Sequence, residues 1–244
     1  MPLKPLYPHP RYPKTQRLRK DNRVTLIVGL RCMDGILLCS DREESGELHK
    51  ASVRKIFQGG DENCYFAIAT AGHSALSDVA IKRIAEAADA AGPKFGANYE
   101  KVIEDTLREI YKTYVWPDSL PSDAGREIGL IVAIYVKATG ALHLYLTADE
   151  ILQPRSDYAC DGCGSLMGEY FLERLYDHSL TTQEAMDLMA FVVREAKDSI
   201  GYVGRETEML TITSTGMTST FFSRSTDRNI PHLLQCIKPF WKNK

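Results

Sequence analysis

Thr25 opens a β-forming run, Val24-Thr25-Leu26-Ile27-Val28-Gly29, and its hydroxyl has two possible uses. In a strand, a threonine commonly does no more than fill a β-branched position. As a nucleophile it is weak, because the hydroxyl keeps its proton far above neutral pH and needs a base beside it. The six residues leave both uses open, so the decision falls on what stands at fixed distances along the chain. Cys160 and Cys163 offer a second chemistry as one CxxC pair. A structural zinc takes four ligands, and no second pair or Cys/His cluster lies at suitable spacing. Two turn cysteines are therefore expected there, with neither a metal nor a redox role. His73 follows Gly72 and could line a cleft, although a lone histidine is more commonly a polar residue at a helix start.

The elements that carry these residues follow from apolar periodicity. Val24 to Arg31 and Ile36 to Ser40 are β-rich runs around Cys32-Met33-Asp34-Gly35, which predicts a hairpin. A polar loop over residues 41–52 leads to a short apolar piece at Val53 to Phe57, and Gly59-Gly60-Asp61 turns the chain into a strand at Cys64 to Thr70. Leu76, Val79, Ala80, Ile84 and Ala87 stand at helical spacing before Gly92-Pro93, and a second helix is read over Tyr99 to Val115. A hairpin around Ala138-Thr139-Gly140 and a short strand at Ile151 to Gln153 come next. Helices at Met167 to Tyr176 and Thr182 to Asp198, a strand at Met209 to Ser214 and a tail complete the chain. This order predicts an α+β fold, a four-layer αββα sandwich with two sheets face to face and a helix layer outside each. No linker divides the chain after residue 24, so residues 1–24 are read as an arm and residues 25–244 as one domain.

Composition narrows the classes further. The 244 residues are 44% hydrophobic and 25% charged, the make-up of an ordinary globular chain. No apolar run is long enough to span a bilayer, and the opening "MPLKPLYPHPRYPK" lacks the apolar core of a secretory signal. A cytoplasmic protein without membrane contact is expected. Cys32, Cys39, Cys64, Cys160, Cys163 and Cys236 stand mostly in apolar or strand-like surroundings and are expected to be reduced. Seven Lys and Arg against Asp21 give residues 1–24 a charge of +6, leaving −8 for the rest of a chain whose net charge is −2. A basic, Pro-rich arm suits a solvated tail or a segment that docks on an acidic surface. The acidic body and the lack of a recognition motif argue against nucleic-acid binding.

The run "TLIVGLRCMDGILLCSD" resembles the opening of proteasome β-type subunits, which are N-terminal nucleophile hydrolases. Aligned on Gly29 and Gly35, the resemblance puts the family's nucleophile at Thr25 and its aspartate at Asp41. Val53-Arg54-Lys55-Ile56 resembles the family's lysine segment, reached with a two-residue deletion in residues 42–52, and puts that lysine at Lys55. Ala69-Thr70-Ala71-Gly72 is similar to the family's small-residue turn before its first long helix, and Gly162-Cys163-Gly164-Ser165 to its Gly-Ser-Gly-Ser turn. The likeness runs over about residues 24 to 214 and is most specific in its first part.

The resemblance implies a threonine-type peptidase subunit acting on peptides or unfolded proteins. Loss of residues 1–24 would give Thr25 a free α-amine, whose ordinary pKa of about 7.7 to 8.0 leaves a neutral fraction able to act as base. Lys55 would lower the pKa of the hydroxyl, and Asp41 would keep Lys55 charged and fixed. Gly72 would supply an oxyanion N–H, and Thr70 would floor a specificity pocket open to medium or large apolar side chains. Asp198 and Ser199, in the nearest match to the family's Asp-x-x-Ser-Gly stretch, would support the amine. The chain departs from active members at Val24, where they carry glycine, at Leu26, where threonine is frequent, and at Cys163 and Gly201, where they carry serine. Two further readings stay open: a non-catalytic ring subunit that retains its arm, and a small-molecule amidohydrolase. No cofactor is implied, and the implied partners are related subunits in a ring-forming homo-oligomer or hetero-oligomer.

Overall fold

The computed structural model describes residues 25–45, 50–117 and 126–222. The arm over residues 1–24 and the tail with Cys236 lie outside the described residues. β1 (Ile27–Arg31) and β2 (Gly35–Asp41) form the expected hairpin, with Ile27 opposite Ser40 and Arg31 opposite Ile36. β3 (Glu43–Ser45) and β4 (Lys50–Ser52) pair with each other inside the segment expected to be a loop. No alternation of apolar residues announces that ladder; backbone bonds and a Lys50–Glu43 ion pair hold it.

β5 (Ile56–Gly60) and β6 (Cys64–Gly72) lead into α1 (Ser74–Ala91), a 3-10 turn at Gly92–Lys94, and α2 (Phe95–Tyr114). α2 starts before the expected Tyr99 because Phe95 packs on Phe66, ring centroids 5.3 Å apart. Asn98, at φ −132°, interrupts the helix and hides its first turn from the periodicity. β7 (Ile128–Val136), β8 (Ala141–Ala148), β9 (Ile151–Arg155) and β10 (Tyr158–Asp161) follow, then α3 (Ser165–Leu175), α4 (Thr182–Ser199), β11 (Thr207–Thr213) and β12 (Gly216–Phe222). Thr181 and Glu184 close a capping box that starts α4 where the sequence places it.

One sheet runs β10-β1-β2-β11-β12 and the other β5-β6-β7-β8-β9, every pairing antiparallel. Ile27, Ile36, Leu38, Ile56, Ile131 and Leu210 fill the layer between the sheets. Leu37, Cys39, Val192 and Met209 belong to the layer under α3 and α4, while Ile84, Ile103, Leu107 and Val132 belong to the layer under α1 and α2. β2 is thus covered on both faces, which explains why Gly-Ile-Leu-Leu-Cys reads as a continuous apolar run and not as an alternation. The molecule is the expected αββα sandwich. Among the described residues no helix is long and apolar enough to cross a membrane, Cys32, Cys39, Cys64 and Cys160 are free thiols, and no three His, Cys, Asp or Glu side chains gather as a metal site.

Candidate active site

Three separate segments bring Thr25, Asp41 and Lys55 together at one end of the space between the sheets. Thr25 precedes β1, Asp41 ends β2, and Lys55 stands immediately before β5. The hairpin register makes the first meeting automatic: the Asp41 N–H donates to the Leu26 carbonyl, and the Leu26 N–H donates back to Asp41 Oδ1 at 3.0 Å. Lys55 is held from the other sheet, its carbonyl accepting the Thr70 N–H at 2.9 Å. All three side chains are buried, at 1%, 0% and 7% exposure for Thr25, Asp41 and Lys55.

The Lys55 ammonium has three N–H donors and meets three acceptors: Thr25 Oγ1 at 2.5 Å, the Glu43 carbonyl at 2.6 Å and Asp41 Oδ1 at 3.0 Å. The Thr25 hydroxyl in turn donates to Asp41 Oδ1 at 2.5 Å. The other carboxylate oxygen of Asp41 accepts the backbone N–H of Glu43 and of Gly204, both at 3.1 Å. Burial pulls the Lys55 ammonium below its ordinary 10.5, and the Asp41 carboxylate opposes that pull. A hydroxyl oxygen fixed between a cation and a carboxylate is oriented for ionisation, the cation lying where negative charge would develop on Oγ1.

Thr25 and Lys55 border a cleft of about 370 Å³ whose other lining includes Glu44, Thr70, Gly72, His73 and Asp78. Thr70 is among the lining residues, and the wall is mixed, with Val53, Ala71 and Ala75 beside Glu44 and Asp78. Gly72 has φ +104°, and a Cβ there would lie 2.2 Å from the Glu127 carbonyl, so only glycine fits that end of β6. The Thr70 N–H points to the β5 side of β6, and alternation directs the Gly72 N–H to the same side, beyond the start of β5. His73 does both things foreseen for it: it lines the cleft, and its Nδ1 accepts the Leu76 N–H as the cap of α1. The positive end of that helix therefore opens onto the cleft beside Gly72.

Asp198 and Ser199 are not brought to this site. Both are exposed at the end of α4, where the Asp198 side chain, 61% exposed, pairs with Arg194, and among the described residues no hydrogen bond joins either one to Thr25. The chain segment that follows them reaches the site by its backbone instead, through Gly204. The CxxC pair diverges: Cys160 lies in the layer under α3 and α4, whereas Cys163 Sγ donates to the Thr25 carbonyl at 3.4 Å, beside the Gly164 N–H at 3.1 Å. Cys39 also sits in that helix-side layer and not in the cleft, and burial pushes its thiol upward. The carbonyl of Glu43 and the N–H of Gly204 were missed by the sequence reading, since backbone groups carry no residue-type signal.

A family model described as "Proteasome subunit" matches residues 22–212. No curated protein matches the chain. Similar solved structures include a mutant form of Anbu from Hyphomicrobium sp. strain MC1, 18% identical with a TM-score of 0.73, covering 90% of this chain and 98% of that one. Another is the helical assembly of the Anbu complex from Pseudomonas aeruginosa, 18% identical, TM-score 0.72, covering 88% and 96%. A third is Anbu, an ancestral beta-subunit, from Yersinia bercovieri, 15% identical, TM-score 0.71, covering 89% and 93%. At such identities the likeness concerns the fold.

Proposed function

Because this chain belongs to the proteasome subunit family, we propose that it is a threonine-type peptidase subunit whose nucleophile is Thr25 Oγ1. The observation that carries the reading is the hydroxyl held at 2.5 Å from both Lys55 Nζ and Asp41 Oδ1 at the edge of a substrate-sized cleft. Residues 1–24 are an arm removed by cutting the bond after Val24, and residues 25–244 are the working domain. The freed α-amine takes the proton from Oγ1, and Oγ1 attacks a peptide carbonyl lying in the cleft. Negative charge on that carbonyl oxygen is met by the Gly72 N–H and the start of α1, while Lys55 offsets charge on Oγ1. The proton then passes from the ammonium to the leaving amine, and water releases the acyl group by the same route.

The substrate class is peptide or unfolded polypeptide, and the subunit works in a ring or helical array of related subunits. The helical assembly of the Pseudomonas relative supports self-association. The free thiols of Cys32, Cys39, Cys64 and Cys160 fit a cytoplasmic setting. Intact mass and N-terminal sequence of the native protein test the reading. A chain that begins at Thr25 and loses all hydrolysis in Thr25→Ala while staying folded is the expected result. Unchanged turnover in Thr25→Ala refutes it.

One alternative has a specific basis: a non-catalytic subunit that keeps its arm. It draws on Val24, whose branched Cβ disfavours the tight bend of self-cleavage, and on the exposure of Asp198 and Ser199. A native chain that still starts near Met1 and is inert favours that alternative.

A further inference from the structure

The proposed mechanism needs a group that holds the Thr25 α-amine, and Asp198 and Ser199 do not supply one. Asp161, the last residue of β10, stands in the right place. It pairs with Ile27 in the β1–β10 ladder, so its side chain leaves the same face as Ile27. Continuing that register two residues before β1 would set Thr25 diagonally across from Asp161. The Asp161 Oδ1 accepts the Gly162 N–H at 2.7 Å, which ties the carboxylate to the turn that follows β10. Gly162, at φ +93°, is packed against Thr25 itself: a Cβ there would lie 2.3 Å from the Thr25 carbonyl oxygen and 2.8 Å from Cγ2. On the opposite sheet, Gly129 leaves open the space that Oδ2 fills, since a Cβ on Gly129 would fall 1.6 Å from it. Gly129 thus leaves room for the carboxylate, and Gly162, the residue next to Asp161, is packed on Thr25.

Resting on the peptidase reading above, we propose that Asp161 is the positioning residue for the α-amine of Thr25 once the arm is removed. The neutral amine donates one N–H to the Asp161 carboxylate, which turns its lone pair toward Oγ1. When the amine takes the Oγ1 proton, the resulting ammonium faces the same carboxylate, so charge is matched at the moment it forms. The charged and titratable groups around the amine are Asp161 from β10, Asp41 from β2, Glu43 and Glu44 from β3, Lys55 from the segment before β5, His73 ahead of α1 and Cys163 from the turn after β10. The carboxylates favour the ammonium and Lys55 opposes it, so removing the charge of Asp161 lowers the amine pKa.

The test compares wild type, Asp161→Asn and Gly129→Ala, each carried as the chain that begins at Thr25. Gly129→Ala keeps the carboxylate but fills the space of Oδ2, so it reports displacement separately from charge. The pH dependence of kcat/KM on a fluorogenic peptide is read beside an NMR titration of the ¹³C-methylated Thr25 amine, and melting curves confirm folding. In Asp161→Asn the acid limb and the amine titration both move to lower pH by about half a unit to two units, as loss of one charge a few ångströms away requires. The plateau of kcat/KM falls in both variants. An amine titration and an acid limb that stay in place overturn the inference, even if the plateau falls, because a packing role lowers activity equally at every pH. A wild-type chain beginning at Thr25 that hydrolyses nothing sinks the peptidase reading instead. The NMR titration still decides the placement of Asp161 in that case.

Discussion

Replacing Lys55 with methionine keeps most of the buried stem and deletes the ammonium that bonds Thr25 Oγ1, Asp41 and the Glu43 carbonyl. With Nζ 2.5 Å from Oγ1, the attraction for a developing alkoxide is about 3 to 7 kcal/mol at an effective dielectric of roughly 20 to 40. Each ~1.4 kcal/mol is a factor of about ten in rate, so kcat/KM should fall between about a hundredfold and a hundred-thousandfold. The fold should survive, because Asp41 keeps the backbone N–H groups of Leu26, Glu43 and Gly204 after its cation is gone. Its melting temperature should nevertheless drop, since breaking a buried pair commonly costs about 3 to 5 kcal/mol and these three donors only lessen that. Lys55→Arg should not rescue activity, as a planar guanidinium cannot present the same three donors to acceptors grouped around one nitrogen. The assay is burst and steady-state hydrolysis of a fluorogenic peptide by a chain beginning at Thr25, with circular dichroism alongside. A folded Lys55→Met chain within tenfold of wild type refutes the role of the cation.

Other expectations follow from the same geometry. Burial lowers the Lys55 pKa, so its charge is lost as pH rises through a value below 10.5, and hydrolysis should show an alkaline limb there. In that window the unfolded chain binds more protons than the folded one, so the contribution of Lys55 to stability rises with pH while activity falls. Falling activity with parallel loss of structure would contradict this. Gly72→Ala places a methyl 2.2 Å from the Glu127 carbonyl at φ +104°, and should cost about 1 to 3 kcal/mol in denaturant unfolding along with most hydrolysis. The Glu44 and Asp78 carboxylates on the cleft wall should favour lysine or arginine over leucine on the acyl side of the cut bond. In Glu44→Gln with Asp78→Asn that preference should shrink by about tenfold, and a preference for leucine in the unaltered protein would refute it.

The parts of the molecule that were legible in the sequence are those written in side-chain types at a period. β1, β2, α1 and α4 announce themselves by apolar runs, helical spacing or capping residues, and each covers a face of one sheet. β12 does not, because Gly216–Phe222 is an edge strand with small polar residues on a partly exposed face. β10 has only four residues, too short for a pattern to emerge. Residues 43–52 read as a loop since their ladder is held by backbone bonds and an ion pair, which leave no apolar signature.

The site divides along the same line, and the division explains which half was found. Thr25, Asp41 and Lys55 are side chains at the ends of elements whose registers are fixed by core packing, so naming the strands placed them. The support proposed for the amine depends on Gly129, which leaves room for the Asp161 side chain, and on Gly162, which packs on Thr25, while Asp41 is held by a loop that presents the Gly204 N–H. Those are relations between distant segments: Asp161 meets Gly129 only because β10 and β7 lie on facing sheets. In sequence, Asp161 is one residue of Cys-Asp-Gly-Cys, a turn by composition, whereas Asp198 and Ser199 lie in the order along the chain that the family resemblance implies. A carboxylate that reaches the nucleophile from a different strand can replace one from a helix end, since the amine responds to charge and distance and not to the order of the residues that supply them.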